Sequence, residues 1–590
     1  MRGAWLCLLL LSPASAAASG YADLGKLERE AVDDALSVRG LTIDPEPQGK
    51  IVAQVQVVNL DVFLARERVP LVWANIFHRT TREHHIRRES LLQAGDRYDL
   101  DLVEETTRNL QDPSLSNVVA VLPVRSATPG MVDLLIVTRD VWSLRFNQDY
   151  ELQQGQLIYY TASLSENNFL GWRKNLAVVF VMDQGEMSFG PAYIDPNILG
   201  TRLKLQSAFS WIWKRQIGEI AAGPQEGSSS HFRLEYPLWA LARRWGAYSE
   251  FSHFDGVRRR FAGNDLRLVP VGDGATLSTP PTGPTAPWEY RLRTVALSSA
   301  VTRSFPRPTL IQRISLGHEL NLVRPFLLAD FPYPCGAPER AQFSHLVFPL
   351  SERSSDLFLL YELFTPRYRT YRDFNTFDFR EDTRLGPSLS LKAGRASELF
   401  GSDKDFSLFQ ASLDLAAGWW GGLESIGGSW EGRLAENEMT DQLVQGRASL
   451  ATPVLARVLR LVAAGNVGFL FVNARKRYFA VGGDTGLRGY PVGQFVGTGA
   501  EFIGHLEARS MALRLAFLRL GGLLFFDAGH AAADAGSLTF YDDVGFGLRL
   551  LIPQLNTYSL RADWAFPLRA APGIPAGWPG RMSFGFRQVF

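Results

Sequence analysis

Leu518-Arg519-Leu520-Gly521-Gly522-Leu523-Leu524-Phe525-Phe526-Asp527-Ala528-Gly529 alternates with the period of a β-strand. Leu518, Leu520, Leu524 and Phe526 fall on one face, and Arg519, Gly521, Phe525, Asp527 and Gly529 on the other. Three later runs repeat the division. Val544, Phe546, Leu548, Leu550 and Ile552 oppose Gly545, Gly547, Arg549 and Leu551; Tyr558, Leu560, Ala562, Trp564 and Phe566 oppose Ser559, Arg561, Asp563 and Ala565. In the last run Met582, Phe584, Phe586 and Phe590 oppose Ser583, Gly585, Arg587 and Val589, with Gln588 interrupting the apolar face. A soluble sheet turns its charges to water and needs other elements over its apolar faces, and this sequence supplies no helices for so many of them. A closed barrel in lipid meets both demands, with apolar side chains towards acyl chains, charges towards a wet lumen and every backbone group paired.

Upstream lies Gly482-Gly483-Asp484-Thr485-Gly486-Leu487-Arg488-Gly489-Tyr490-Pro491. Its glycines and proline describe a tightly turning backbone, and Leu487, Arg488 and Tyr490 supply an apolar, a cationic and an aromatic anchor. Such a loop is built to dock. Leu487-Arg488-Gly489-Tyr490 resembles the V/L-R-G-F/Y loop of the BamA/TamA superfamily of outer-membrane assembly and translocation barrels. Phe525-Phe526-Asp527-Ala528-Gly529 is similar to that family's F-x-D-x-G strand motif, and Glu507-Ala508-Arg509 to its E-x-R. The resemblance implies a loop folded back into the lumen, with Arg488 meeting acidic groups on an inner wall built from Glu507, Arg509, Phe525, Asp527 and Gly529. The alternation independently assigns Asp527 to the lumen face, so an Arg488–Asp527 pair is geometrically reasonable.

From its beginning, the chain opens with Arg2, an apolar segment Ala4 to Leu11 and small residues to Ala18, which read as a secretory signal peptide over 1–18. Cys335 is then the one cysteine of the mature chain, an incidental loop thiol. A helix over Tyr21 to Val38, with a linker to residue 49, reads as a spacer or a plug helix. Residues 50–139 resemble a single POTRA domain, the periplasmic module of the same superfamily. The predicted order is strand, helix, helix, strand, strand, with a sheet edge along Leu115 to Val124 open to strand addition. His78, His84 and His85 lie among Arg79, Arg82, Arg87 and Arg88, which repel a cation, so this reads as a solvated face and no metal site is expected.

Residues 140–590 are assigned to the barrel. The run from Val141 to Leu152 reads as its first strand, and 590 residues leave room for sixteen strands after the N-terminal domain. The expected fold is therefore mainly β, a 16-stranded transmembrane barrel preceded by one small α/β domain. A formal net charge of +1 gives no reason to expect nucleic acid. No nucleophile, base and acid fall together in a motif, and neither an enzyme nor a cofactor is expected. Pro270 to Pro287 and Phe331 to Pro338 read as loops. Phe584, Phe586 and Phe590 resemble the terminal aromatic signature by which outer-membrane barrels are recognised for assembly. The family resemblance implies an outer-membrane protein that assists insertion of other outer-membrane proteins through a seam between first and last strands. Its partners would be lipid, unfolded outer-membrane or secreted clients, and periplasmic or lipoprotein factors at the POTRA domain. A two-partner-secretion translocator and a passive pore or surface antigen are the alternatives.

Overall fold

The computed structural model describes residues 21, 24–62, 79–112, 114–153, 156–215, 222–262, 265–277, 283–377, 379–483, 486–515, 518–555 and 558–586. The signal-peptide segment, His78, Asp484, Thr485 and residues 587–590 lie outside them, as does the side chain of Phe586. The chain forms two compact units: Met1–Leu60 with Arg82–Asp112 and Val118–Arg139, and Asp61–Thr81 with Pro113–Asn117 and Asp140–Phe590.

The first unit is built on a three-stranded sheet in the order Ile51–Leu60, Met131–Asp140, Ser116–Arg125, the first two running parallel. One face packs Val57, Val119, Val121, Leu134 and Ile136 against the helices Glu83–Arg88 and Leu100–Leu110, through Ile86, Val103 and Leu110. The second helix is capped by Asp99, whose carboxylate accepts the Asp101 amide at 2.9 Å. The opposite face, Val118, Ala120, Leu122, Val124, Leu135 and Val137, is covered by Ala31, Val32 and Ala35 of a helix over Lys26–Arg39. Burial on both faces explains why Val118 to Leu122 is an unbroken apolar run. The N-terminal helix is thus a third layer of this unit. Thr42–Asp44 continues from it along the sheet edge, where the Arg125 amide donates to the Thr42 carbonyl at 2.9 Å and the Asp44 amide to Pro123 at 3.0 Å. Strap contacts therefore fall on Pro123–Arg125, at the end of the edge expected to be open.

The second unit is a closed antiparallel barrel of twenty strands among the described residues. It runs from Leu144–Gln153 round to Arg581–Phe586, which pair with each other. Glu352–Phe364 continues as Arg367–Arg372, and Ala500–Ser510 as Leu513–Leu515, each forming one wall strand. The expectation of sixteen strands is therefore corrected to twenty. It assumed long connections, whereas several are the shortest that antiparallel strands allow. Trp420-Gly421 joins Phe406–Trp419 to Gly422–Ala435, and Glu436-Asn437 joins that strand to Glu438–Ala451 with both residues at positive φ, 52° and 66°. The residues so released build four more strands. The segments read as loops around 270–287 and 331–338 hold a short ladder, Leu268–Pro270 with Thr285–Pro287, and the start of a helix, Pro338–Val347.

The wall divides as the alternation dictates: Leu524 is 66% exposed on the outer face while Asp527 is fully buried on the inner one. The outer face also carries Leu316, Leu413, Ile426, Leu548 and Phe146. The inner face carries ion pairs, including Lys392–Glu319 at 2.6 Å and Arg447–Asp414 at 2.6 Å. We call the end of the barrel at which Leu144 begins the first strand proximal, and the other end distal.

Candidate functional site: the lumen loop and the closing seam

The segment 472–499 joins Leu459–Phe471 to Ala500–Ser510 at the distal end. A short ladder, Phe479–Val481 with Phe495–Gly497, brings the two arms together, so that 482–483 and 486–491 are presented from one stem. Gly482 and Gly483 have φ of 126° and 82°, and a Cβ on Gly482 would lie 2.1 Å from the Pro491 carbonyl oxygen. Only glycine fits this fold-back. The Gly483 amide donates to the Tyr490 carbonyl at 2.9 Å and the Leu487 carbonyl at 3.1 Å, closing the tip on itself.

Arg488 is buried at the centre of the site. Its Nε and Nη2 donate to the two carboxylate oxygens of Asp527 at 2.7 and 2.8 Å, a bidentate fork, and its Nη1 donates to Glu507 at 2.7 Å. The guanidinium lies 3.5 Å from the Phe525 ring centre, and Asp563 stands 3.8 Å from Nη1. Planar geometry, several donors and permanent charge suit arginine alone to this position. Each carboxylate is held from a second side. Arg509 donates to Glu507 at 2.6 Å, His505 Nδ1 lies 2.8 Å from Asp527, and Arg549 donates to Asp563 at 2.6 Å. A Cβ on Gly547 would come within 2.0 Å of the Asp563 carboxylate, so that glycine makes room for the last pair.

The neighbours of Arg488 dock separately. The Gly489 amide donates to Asp543 at 3.0 Å, and a Cβ there would meet Asp543 Cβ at 2.7 Å. The Tyr490 hydroxyl donates to the Arg569 carbonyl at 2.6 Å, and its ring packs on Phe495 and Tyr541. Leu487 is fully buried beside Val481, Phe495 and Ile503. Arg581, on the last strand, donates to the Arg488 carbonyl at 2.8 Å.

The structure brings together Leu487, Arg488, Gly489, Tyr490, Glu507, Arg509, Phe525 and Asp527. Gly529 stands apart from them: a Cβ there would lie 2.6 Å from the Phe502 carbonyl oxygen, so its place is in close strand approach. Sequence reasoning missed His505, Asp543 and Arg581. All share the inward parity of their strands, and extending the alternation by one residue at Val544 and at Met582 reaches two of them.

The seam is the second part of the site. Among the described residues, the first and last strands pair through Tyr150 with Phe584, Glu151 with Ser583 and Leu152 with Met582. The Tyr150 and Phe584 rings stack at 4.7 Å across it. On its other side the first strand pairs along its whole length with Gln156–Glu166.

No family model matches the chain, and no curated protein does. Among solved structures it is similar to BamA from Haemophilus ducreyi lacking POTRA domains 1–3, at 13% identity over 90% of this chain and 84% of that one, with a TM-score of 0.34. It is also similar to CdiB from Escherichia coli, at 11% identity over 95% of this chain and 83% of that one, TM-score 0.42. CdiB from Acinetobacter baumannii aligns at 11% identity over 95% and 81%, TM-score 0.41. At these identities and scores the likeness assigns no activity.

Proposed function

We propose that this chain is an outer-membrane barrel of the BamA/TamA type that assists insertion of other outer-membrane proteins through the seam between its first and last strands. The observation that carries this reading is the asymmetry around the seam. From the loop tip, Arg488, Gly489 and Tyr490 bond to Glu507, Asp527, Asp543 and the Arg569 carbonyl, and Arg581 of the last strand bonds back to the loop. One flank of the seam is thereby cross-braced from the lumen through the last strand. Opening such a junction exposes backbone donors and acceptors in hydrocarbon, a state of several kcal/mol per unsatisfied group that a client strand relieves by pairing there. Expected order of events follows: the braced flank keeps its shape while the first strand parts from it. In the first unit, the edge Val118–Leu122, beyond the Thr42–Asp44 strap, is the surface at which an extended client or periplasmic factor would add.

A disulfide across the seam tests the mechanism. E151C/S583C joins two residues in register, and the oxidised form is expected to lose assembly of other barrels while the reduced form regains it. Full activity of the oxidised form would overturn the reading. Depletion of the protein then separates client classes. General loss of outer-membrane barrels supports insertion, loss of one secreted protein points to a translocator, and no change points to a passive pore.

A further inference from the structure

The outer wall carries an arginine at its proximal rim. Trp245, the first residue of Trp245–Arg259, is in register with Arg303 of Glu289–Pro306. Trp245 and Phe305 are 56% and 44% exposed, and Val301 on the same face is exposed too. The Arg303 guanidinium sits 4.7 Å from the Trp245 ring and 5.6 Å from that of Phe305. Next to it, the turn 237–244 carries Arg243 and Arg244, both exposed at the rim, and Arg243 lies 3.9 Å over the Trp239 ring, which also carries Arg202 at 4.2 Å. No Asp or Glu occurs in 236–249 or 299–317. Among the described residues Arg303, Arg243 and Arg244 have no carboxylate partner.

We propose that this rim binds the phosphate-bearing headgroup of an anionic phospholipid in the leaflet on the proximal side, an inference that rests on the membrane reading above. An arginine on a lipid-facing wall needs a counter-charge, and at the rim it reaches the headgroup layer. Guanidinium forks match phosphate oxygens, and indole rings favour the same boundary depth. The surface below the cations, with Tyr236, Val301 and Phe305, is apolar and exposed, which suits acyl chains. A free phosphate ion would leave it uncovered, and this favours the lipid.

The test uses the full chain in detergent, with native mass spectrometry counting bound phosphatidylglycerol against phosphatidylcholine. Wild type is expected to retain phosphatidylglycerol preferentially, about fivefold per arginine engaged. R243Q/R244Q/R303Q is expected to retain the two lipids equally. R457Q, at an exposed proximal turn elsewhere, is expected to behave as wild type, and R303K to keep an intermediate preference. Unchanged preference in the triple variant, or displacement of the lipid by millimolar inorganic phosphate, would overturn the proposal. Insertion of wild type into phosphatidylcholine vesicles, read from heat-dependent gel migration, keeps the two readings apart. Failure to insert removes the membrane reading itself, whereas insertion with an unaltered triple variant removes only the lipid site.

Discussion

Arg488 contributes shape more than chemistry. Its charge is matched by Asp527 and Glu507 in a site with no exposed side-chain surface, so the Coulombic gain offsets a large desolvation cost and the net worth of the pairs is modest. Removing one partner is another matter, because buried carboxylates are then left facing one another. Arg488→Ala is expected to cost about 3–5 kcal/mol of loop docking. Limited proteolysis at Arg475–Arg477 should show the loop released, while the barrel, held by its backbone ladder, keeps its heat-dependent migration and loses assembly activity. Gly489→Ala probes the same docking without a change of charge. The Cβ would have to displace Asp543 or the Pro567 backbone, so loop release without any change in titration is the expected outcome. The motif residues were legible because an arginine and four glycines in one tip have few structural uses. The second ring of partners was not, since Asp543, His505 and Arg581 are separated from Arg488 by up to 93 residues and carry no local signature.

At the scale of elements, the apolar spacing that predicted a helix over Tyr21 to Val38 located the helix that forms over Lys26–Arg39. What it covers was not, because periodicity reports that a face is apolar and leaves its partner open. Val32 is fully buried on the sheet, and Val32→Asp places a charge in that layer. Hydrogen exchange over Val118–Val124 is expected to accelerate by several orders of magnitude, since burial of an unpaired charge costs several kcal/mol. The strap that follows should respond to acid. Burial pushes the Asp44 carboxyl up, but hydrogen bonds from Lys50 at 2.6 Å and the Glu46 amide at 3.1 Å, with the charges of Lys50 and Arg125, outweigh it and hold the carboxyl below its ordinary value. A depressed carboxyl stabilises the fold above the unfolded value, about 3.9, and the contribution fades as pH falls through the lower folded value. Protection of the Asp44 and Arg125 amides, corrected for intrinsic exchange, is expected to hold from pH 7 to about 4 and to fall below it. Asp44→Asn should remove that dependence.

For the whole molecule, twenty strands enclose a lumen wide enough to need filling, and the loop tip with its charged ring occupies part of it. Deleting 482–491 and joining the arms of the short ladder is expected to raise single-channel conductance in planar bilayers above that of the intact chain. An unchanged conductance would place the restriction elsewhere, in the distal cap where Trp288, Phe343 and Val347 pack with Val269. The strand number itself was not legible. Alternation announces a strand but leaves the length of each connection open, and two-residue turns such as Glu436-Asn437 decide how many strands a given length supplies.

The sequence alone determined the polarity of the wall and the identity of its inner anchor. A period of two sorts side chains to opposite faces whatever the strand pairs with, and a Gly-rich tip around one arginine needs an acidic socket. Tertiary structure alone decided how many strands close the ring, which carboxylates share Arg488, and that the N-terminal helix lies on a sheet. Each of these depends on which distant segments meet, and no property of a residue's near neighbours along the chain encodes that meeting.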